Sequence, residues 1–133
     1  MAEGRVAESG EMDVSRVRWT VRQFGVMMGR RVMPWKYVVG VPTGGCVVAV
    51  MVAEELRLPL GDRVVEGSER VALVVDGMLE ETVRMMYEKC DFWAVCGREG
   101  WKGVMEGYGV MGSRTMVGFE TRVAMRFYWE GLK

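Results

Sequence analysis

Three short runs of β-branched, aromatic and other apolar residues stop at turns, and helix-spaced segments separate them. The runs are Tyr37–Val41, Arg70–Val75 and Phe92–Cys96. Continuous apolar runs of this length are typical of strands that are buried on both faces of a sheet. The segments 46–57 and 79–89 between them have the spacing of helices. This alternation predicts an α/β fold: a parallel sheet with helices on both faces.

A single domain accounts for the chain. Its 133 residues suffice for one compact core and leave no room for a second. Residues 1–12 are polar and predict a loose N-terminal leader, so residues 13–133 form the single domain. Asp13 is predicted to cap a first helix that runs to about Arg31. The apolar stripe of that helix recurs at spacings of three and four: Val14, Val17, Val21, Phe24 and Met28.

The remaining segments give weaker patterns. Val64–Val65 predicts a short hairpin arm that turns at Gly67-Ser68. Residues 97–118 are rich in glycine, which predicts a long irregular loop or flap. Val123–Trp129 alternates between apolar and polar positions and predicts a last strand.

Composition and charge exclude several classes of protein. Charged residues make up 27% of the chain and hydrophobic residues 50%, which excludes a disordered chain. Eighteen basic residues balance eighteen acidic ones, so no overall field attracts nucleic acid or an anionic membrane. No apolar run approaches the roughly 18 residues of a membrane span, and the acidic N-terminal stretch does not resemble a signal peptide. We therefore expect a cytoplasmic protein that binds neither nucleic acid nor membrane.

The sequence contains no histidine. This excludes Ser-His-Asp and Cys-His catalysis and His-ligated zinc, and it leaves carboxylates, Lys, Tyr or Cys for acid–base chemistry. The cysteines are Cys46, Cys90 and Cys96. Their odd number and wide spacing predict neither a zinc site nor a disulfide framework, so we expect each to have a structural role.

Two loops follow predicted strands at the edge where parallel sheets bind ligands. Pro42–Gly45 opens a helix, and backbone N–H groups of such a turn can face an anion, although a plain strand-to-helix turn explains the same glycines. In the second loop, Asp76 follows a buried strand and can bind ribose hydroxyls or hold Mg²⁺ through water. Glu80 and Glu81 come next, where a helix dipole favours acidic residues.

Three segments together resemble the type I phosphoribosyltransferases over roughly residues 15–130. Tyr37–Leu60 resembles their first strand, pyrophosphate loop and helix. Arg70–Met85 resembles the signature strand and phosphoribosyl-diphosphate loop, and Met125–Glu130 resembles the F-P-W-E tail of short purine-type members. The resemblance implies that fold and a Mg²⁺-dependent transfer of ribose 5-phosphate from phosphoribosyl diphosphate to a purine-type base.

The resemblance also implies roles for individual residues. Asp76 would bind the ribose hydroxyls and Mg²⁺, and Glu80 would act near the base and the leaving group, so these two are the expected catalytic residues. The motif places a second acid where this chain has Gly77, and many members have Arg or Lys where it has Thr43. The implied substrate-binding residues are Thr43, Gly44, Gly45, Gly77, Glu81, Thr82, Arg84 and Trp129, with Trp129, Tyr128 or Trp101 as the surface on which the base stacks.

Three functions remain open on the residues alone. The first is an active phosphoribosyltransferase. The second is a protein of the same fold that has lost catalysis and binds a nucleotide or regulates by binding it, as the altered phosphate loop indicates. The third is a small α/β protein that acts by assembly or partner recognition. Five Trp and 13 Met exceed what one small core readily hides, so we also expect a homodimer.

Overall fold

The structure, a computed structural model, describes residues 10–29, 34–107 and 114–131. Strands and helices alternate through most of these residues. The strands are β1 Gly10–Met12, β2 Tyr37–Gly40, β3 Leu60–Gly61, β4 Ala72–Met78, β5 Asp91–Arg98, β6 Thr115–Thr121 and β7 Met125–Phe127. The α-helices are α1 Val14–Met28, α2 Gly44–Leu56, α3 Glu81–Met86 and α4 Trp101–Gly107, and short 3₁₀ turns span Glu69–Val71 and Tyr128–Gly131.

Five of the strands form one parallel sheet in the order β3-β2-β4-β5-β6. Side chains alternate between its two faces, as the pleat of a strand requires. Leu73 and Val75 of β4 pack with α1 and α2, whereas Ala72 and Val74 face the side covered by α4. The predicted fold, a parallel sheet with helices on both faces, is confirmed.

Local signals placed the first helix correctly. Asp13 caps α1, because its Oδ1 accepts a hydrogen bond from the Arg16 N–H at 2.8 Å. The helix ends at Met28 rather than near Arg31, and residues 30–33 lie outside the described residues. The three predicted core strands are present as β2, β4 and β5. The strand β4 continues to Met78, so Asp76 lies inside it rather than after it.

The predictions for two further segments are wrong. The segment 97–118 is not an irregular loop throughout: it contains α4 and most of β6, while residues 108–113 lie outside the described part. Gly118 of this segment serves packing, since a Cβ there would collide with Thr20 of α1. Val64–Val65 forms no strand, and the Val65 N–H instead donates to Tyr37 Oη at 3.1 Å.

The two ends of the described chain meet in a small second sheet. β1 and β7 pair in parallel, with Met12 opposite Phe127. Gly10–Met12 therefore belongs to the folded domain rather than to a loose leader, and residues 1–9 lie outside the described residues. The predicted last strand is shorter than expected and does not join the main sheet. Among the described residues, no helix is both long and apolar enough to cross a membrane.

Candidate functional site

A cleft of about 970 Å³ opens at the carboxyl edge of the main sheet. Both predicted loops contribute to it, and so do the segments that follow β5 and β7. The residues that line the cleft include polar, aromatic and glycine residues: Thr43, Gly44, Asp76, Gly77, Glu80, Glu81, Arg98, Glu99, Trp101, Phe127, Trp129 and Glu130. Parallel sheets bind their ligands at this edge, so the cleft is the candidate site.

Asp76 is an acidic residue of the cleft, and its pKa is raised. Its Oδ1 accepts a hydrogen bond from the Gly77 N–H at 2.7 Å, and its side chain is half-buried near the end of β4. Burial, together with repulsion from Glu80, raises the pKa of Asp76 to about 6, and the Gly77 hydrogen bond partly opposes this shift. The carboxyl group therefore gains or loses its proton close to neutral pH.

The first loop reaches the cleft through Thr43 and Gly44 but not through Gly45. Gly45 is buried against the sheet, where a Cβ would lie 2.7 Å from the carbonyl oxygen of Val75. This glycine lets α2 approach β4 closely. The peptide bond between Pro42 and Thr43 is cis.

An aromatic pair from the C-terminal segment covers the two glycines of the site. Phe127 and Trp129 stack with their ring centroids 4.7 Å apart and their planes within 13° of each other. A Cβ on Gly77 would lie 3.0 Å from the Phe127 ring and 3.2 Å from the Trp129 ring, and a Cβ on Gly44 would lie 2.8 Å from Trp129 Nε1. The absence of an acid at position 77 therefore makes room for these rings.

Arg84 does not line the cleft, and the expectation that it binds the substrate is wrong. Its side chain is fully buried. Its Nε donates to Thr115 Oγ1 at 2.7 Å, and its terminal nitrogens donate to the carbonyl oxygens of Tyr87 at 2.7 Å and Cys90 at 3.1 Å. The guanidinium group thus ties α3 to the turn before β5 and to the first residue of β6, and it is not among the groups that line the cleft.

The remaining predicted residues of the second loop differ in whether they line the cleft. Glu80 is exposed and lines the cleft, and Glu81 lines it at the first residue of α3. Thr82 is exposed and lies outside the lining. Among the predicted residues, the fold brings together Asp76, Glu80, Thr43, Gly44, Gly77, Glu81 and Trp129, and it leaves out Gly45, Thr82 and Arg84.

Sequence reasoning did not assign site roles to Arg98, Glu99 and Glu130. The first two follow the third predicted strand at the ligand-binding edge, so the rule that selected the other two loops would have found them. Glu99 pairs with Arg122 at 3.1 Å, and Glu130 Oε1 accepts the Phe127 N–H at 2.9 Å. With these residues included, five carboxyl groups and one guanidinium group line the described cleft.

The donor set fits a metal ion only if a ligand supplies further oxygens. The described residues contain no group of three or more His, Cys, Asp or Glu side chains that could hold a metal ion. A single carboxylate such as Asp76 suits Mg²⁺ when phosphate oxygens and water complete its octahedral shell.

The fold is shared with known structures, although the sequence is not. No protein-family model matches the chain, and no curated protein matches it. A purine phosphoribosyltransferase from Pyrococcus horikoshii is similar in structure, with a TM-score of 0.67, 14% identity and coverage of 94% of this chain and 96% of that one.

Two further structures are similar over comparable lengths. A hypothetical protein from Neisseria gonorrhoeae with bound ppGpp has a TM-score of 0.65 at 14% identity, covering 96% of this chain and 92% of that one. The xanthine-guanine-hypoxanthine phosphoribosyltransferase of Helicobacter pylori has a TM-score of 0.62 at 8% identity, covering 94% of each chain. With a parallel sheet in this order and a cleft at its carboxyl edge, the chain has the fold of the type I phosphoribosyltransferases.

Proposed function

We propose that this chain binds a phosphoribosyl compound in the cleft, with Asp76 accepting hydrogen bonds from the ribose hydroxyls. The observation that carries the proposal is the position of this carboxyl group, half-buried at the carboxyl edge of β4 and facing a cleft of about 970 Å³. That volume is sufficient for a nucleotide-sized ligand. An ionised carboxylate accepts only, which suits a pair of hydroxyl donors.

The reaction we propose is transfer of ribose 5-phosphate from phosphoribosyl diphosphate to a purine-type base. The bond from ribose C1 to the diphosphate oxygen breaks, the electron pair leaves with the diphosphate, and a ring nitrogen of the base bonds to C1. Glu80 lines the cleft and is the proposed acceptor of the proton that the base loses. Its negative charge also stabilises the cationic ribose ring in the transition state.

Mg²⁺ is the proposed cofactor, held by Asp76 together with diphosphate oxygens. The ion would offset the repulsion between the diphosphate and a cleft lined by five carboxyl groups and one guanidinium group. The proposed small-molecule partners are therefore phosphoribosyl diphosphate, as its magnesium complex, and a purine-type base or nucleotide.

Nucleotide binding without transfer is the second candidate, and two observations favour it. Trp129 packs on Gly44, so a diphosphate approaching the first residue of α2 meets an indole ring. Arg84 donates hydrogen bonds to three acceptors in the interior, so its positive charge is not available to a phosphate group in the cleft. The structural neighbour with bound ppGpp is consistent with this alternative.

Calorimetric titration with phosphoribosyl diphosphate and Mg²⁺ tests the binding proposal, with ribose 5-phosphate and pyrophosphate titrated separately. We expect Asp76→Asn to weaken binding about tenfold or more, because a hydrogen bond to a charged group contributes about 1.5–3 kcal/mol. Asp62→Asn is the matched control, since Asp62 is exposed and lies outside the cleft. Absence of binding at millimolar ligand, or equal binding by Asp76→Asn, contradicts the proposal.

The same titration has a predicted pH dependence. Because the pKa of Asp76 is raised to about 6, its carboxylate loses its charge as the pH falls through that value. The affinity for the ribose should fall as the pH is lowered from about 7.5 to about 5. The Asp76→Asn variant should not show this pH dependence of binding. Pyrophosphate titrated over the same range corrects for protonation of the ligand phosphates.

An assay of pyrophosphate release distinguishes the two candidate functions. We expect pyrophosphate release that depends on both Mg²⁺ and an added purine base if the chain is a transferase. Binding of phosphoribosyl diphosphate or of a nucleotide without release, across a panel of bases, instead supports the nucleotide-binding function.

A further inference from the structure

The charged groups of the cleft come from two neighbouring strands with different chemistry. β4 and the loop after it contribute the acidic residues Asp76, Glu80 and Glu81, whereas Arg98 ends the neighbouring strand β5. Arg98 is the one cationic side chain among the described residues that line the cleft. Carboxylates repel a phosphate group and a guanidinium group attracts it, so the two walls suit different parts of a ligand.

Arg98 has no ion-pair partner within the described part of the chain. The ion pairs there are Arg114–Asp91 and Arg122–Glu99, and neither includes Arg98. Its side chain is exposed, and the acid next to it in the chain, Glu99, is the one that pairs with Arg122 at 3.1 Å. No carboxylate of the described residues therefore neutralises Arg98 by direct contact.

The loop between β4 and α3 offers a phosphate group the opposite environment. Glu80 and Glu81 line the cleft there, and both carboxylates would repel a phosphate. Arg84, the cation that follows them, is buried and donates to acceptors in the interior. No cationic side chain of the described residues thus lines this wall of the cleft.

Trp101 adds a second donor without a partner to the wall that follows β5. It lines the cleft and is 6% exposed, and its Nε1 is buried without a hydrogen-bond partner among the described residues. Most buried donors in proteins are paired, so an unpaired one beside a cleft indicates a missing acceptor. Arg98 and Trp101 both donate and cannot accept, which suits an acceptor-rich group such as a phosphate. Because protein atoms cover Trp101 Nε1, the exposed Arg98 is the donor that a ligand meets first.

The spacing between Asp76 and Arg98 suits a sugar phosphate. Asp76 pairs with Ala94, and Arg98 lies four residues further along β5. At about 3.3 Å per residue, the two positions are about 13 Å apart along the sheet. The long side chain of Arg98 can cover part of this distance, and the C5 arm of a ribose held at Asp76 can cover part of the remainder.

We propose that Arg98 binds the 5′-phosphate of the ligand, on the wall that follows β5 rather than in the loop between β4 and α3. The inference rests on the proposed function, which puts the ribose hydroxyls at Asp76. Mg²⁺ would accompany the diphosphate, so the 5′-phosphate is the group that needs a cation from the protein.

Calorimetric titration with ribose 5-phosphate, phosphoribosyl diphosphate and magnesium pyrophosphate tests this assignment. Arg98→Gln should weaken binding of the two phosphoribosyl compounds by about tenfold or more, because it removes hydrogen bonds between charged groups. Arg98→Lys should recover part of the loss, since lysine keeps the charge but lacks the paired N–H groups. Magnesium pyrophosphate, which has no 5′-phosphate, should bind Arg98→Gln and the wild type equally.

Arg126→Gln is the matched control, because Arg126 is exposed and lies outside the lining of the cleft. Thermal melting checks that each variant is folded. Equal affinity of Arg98→Gln and the wild type for the phosphoribosyl compounds overturns this inference and leaves the proposed function standing. A loss confined to magnesium pyrophosphate also overturns it, since Arg98 would then bind the diphosphate. If the wild type binds neither phosphoribosyl compound at millimolar concentration, the proposed function and this inference fail together.

Discussion

Two tryptophans of equal burial differ in a single hydrogen bond. Trp35 and Trp101 are each 6% exposed. Trp35 Nε1 donates to Asp91 Oδ2 at 2.7 Å, whereas Trp101 Nε1 is buried without a hydrogen-bond partner among the described residues. An unpaired buried donor lowers the free energy of unfolding by about 1–3 kcal/mol, so the N–H groups of the two indoles affect stability in opposite directions.

Replacing each indole with a phenyl ring tests this residue-scale difference. Trp35→Phe should lower the free energy of unfolding by about 2–4 kcal/mol, since it loses both packing and a bond to a charged carboxylate. Trp101→Phe should lower it by about 2 kcal/mol less, because relief of the unpaired N–H offsets part of the lost packing. Urea denaturation followed by far-ultraviolet circular dichroism measures both, and equal losses would contradict the prediction.

At the scale of elements, the C-terminal segment explains why the site lacks an acid at position 77. Gly77→Asp restores the acid of the resembled motif but places a Cβ 3.0 Å from the Phe127 ring, so we expect a loss of about 2–3 kcal/mol in the free energy of unfolding. Gly103→Asp is the matched control, because nothing lies within 4 Å of its Cβ position on α4. Thermal melting of both variants checks this, and a wild-type melting temperature for Gly77→Asp would show that the rings yield easily.

At the scale of the whole molecule, the start of the described chain stabilises its end and hence the wall of the cleft. Met12 is 1% exposed and lies opposite Phe127 in the β1–β7 ladder. Met12→Ala should lower the free energy of unfolding by about 2–5 kcal/mol and speed amide exchange in residues 125–130, whereas Glu11→Ala, on the exposed side of β1, should do neither. Amide hydrogen exchange followed by mass spectrometry tests this prediction. Unchanged protection of 125–130 in Met12→Ala would mean that β7 is held without β1.

Much of the main sheet was predictable because its signals are local. The three core strands are continuous apolar runs, and Asp13 is an N-cap whose side chain and helix are adjacent in sequence. The rule that ligands bind at the carboxyl edge of a parallel sheet predicted that Asp76 and Thr43 lie at the candidate site. The homodimer, the magnesium ion and the base remain predictions.

The missed features depend on contacts between residues far apart in sequence. The resemblance implied that Arg84 binds the substrate, but its guanidinium group is buried and donates to Thr115, on a strand that the sequence did not reveal. The glycine-rich segment 97–118 looked irregular because glycine weakens regular structure on average, yet at Gly118 it admits the close approach of α1.

The sequence by itself determined the class of fold and the edge of the sheet where a ligand binds, since hydrophobic period and turn residues act within a few positions of one another. Only the tertiary structure decided which side chains face the cleft. It buried Arg84, seated Phe127 and Trp129 over the glycines and paired β1 with β7. These contacts join segments that are distant in the chain. Local sequence patterns do not predict them, because which contacts form depends on how all the segments pack together.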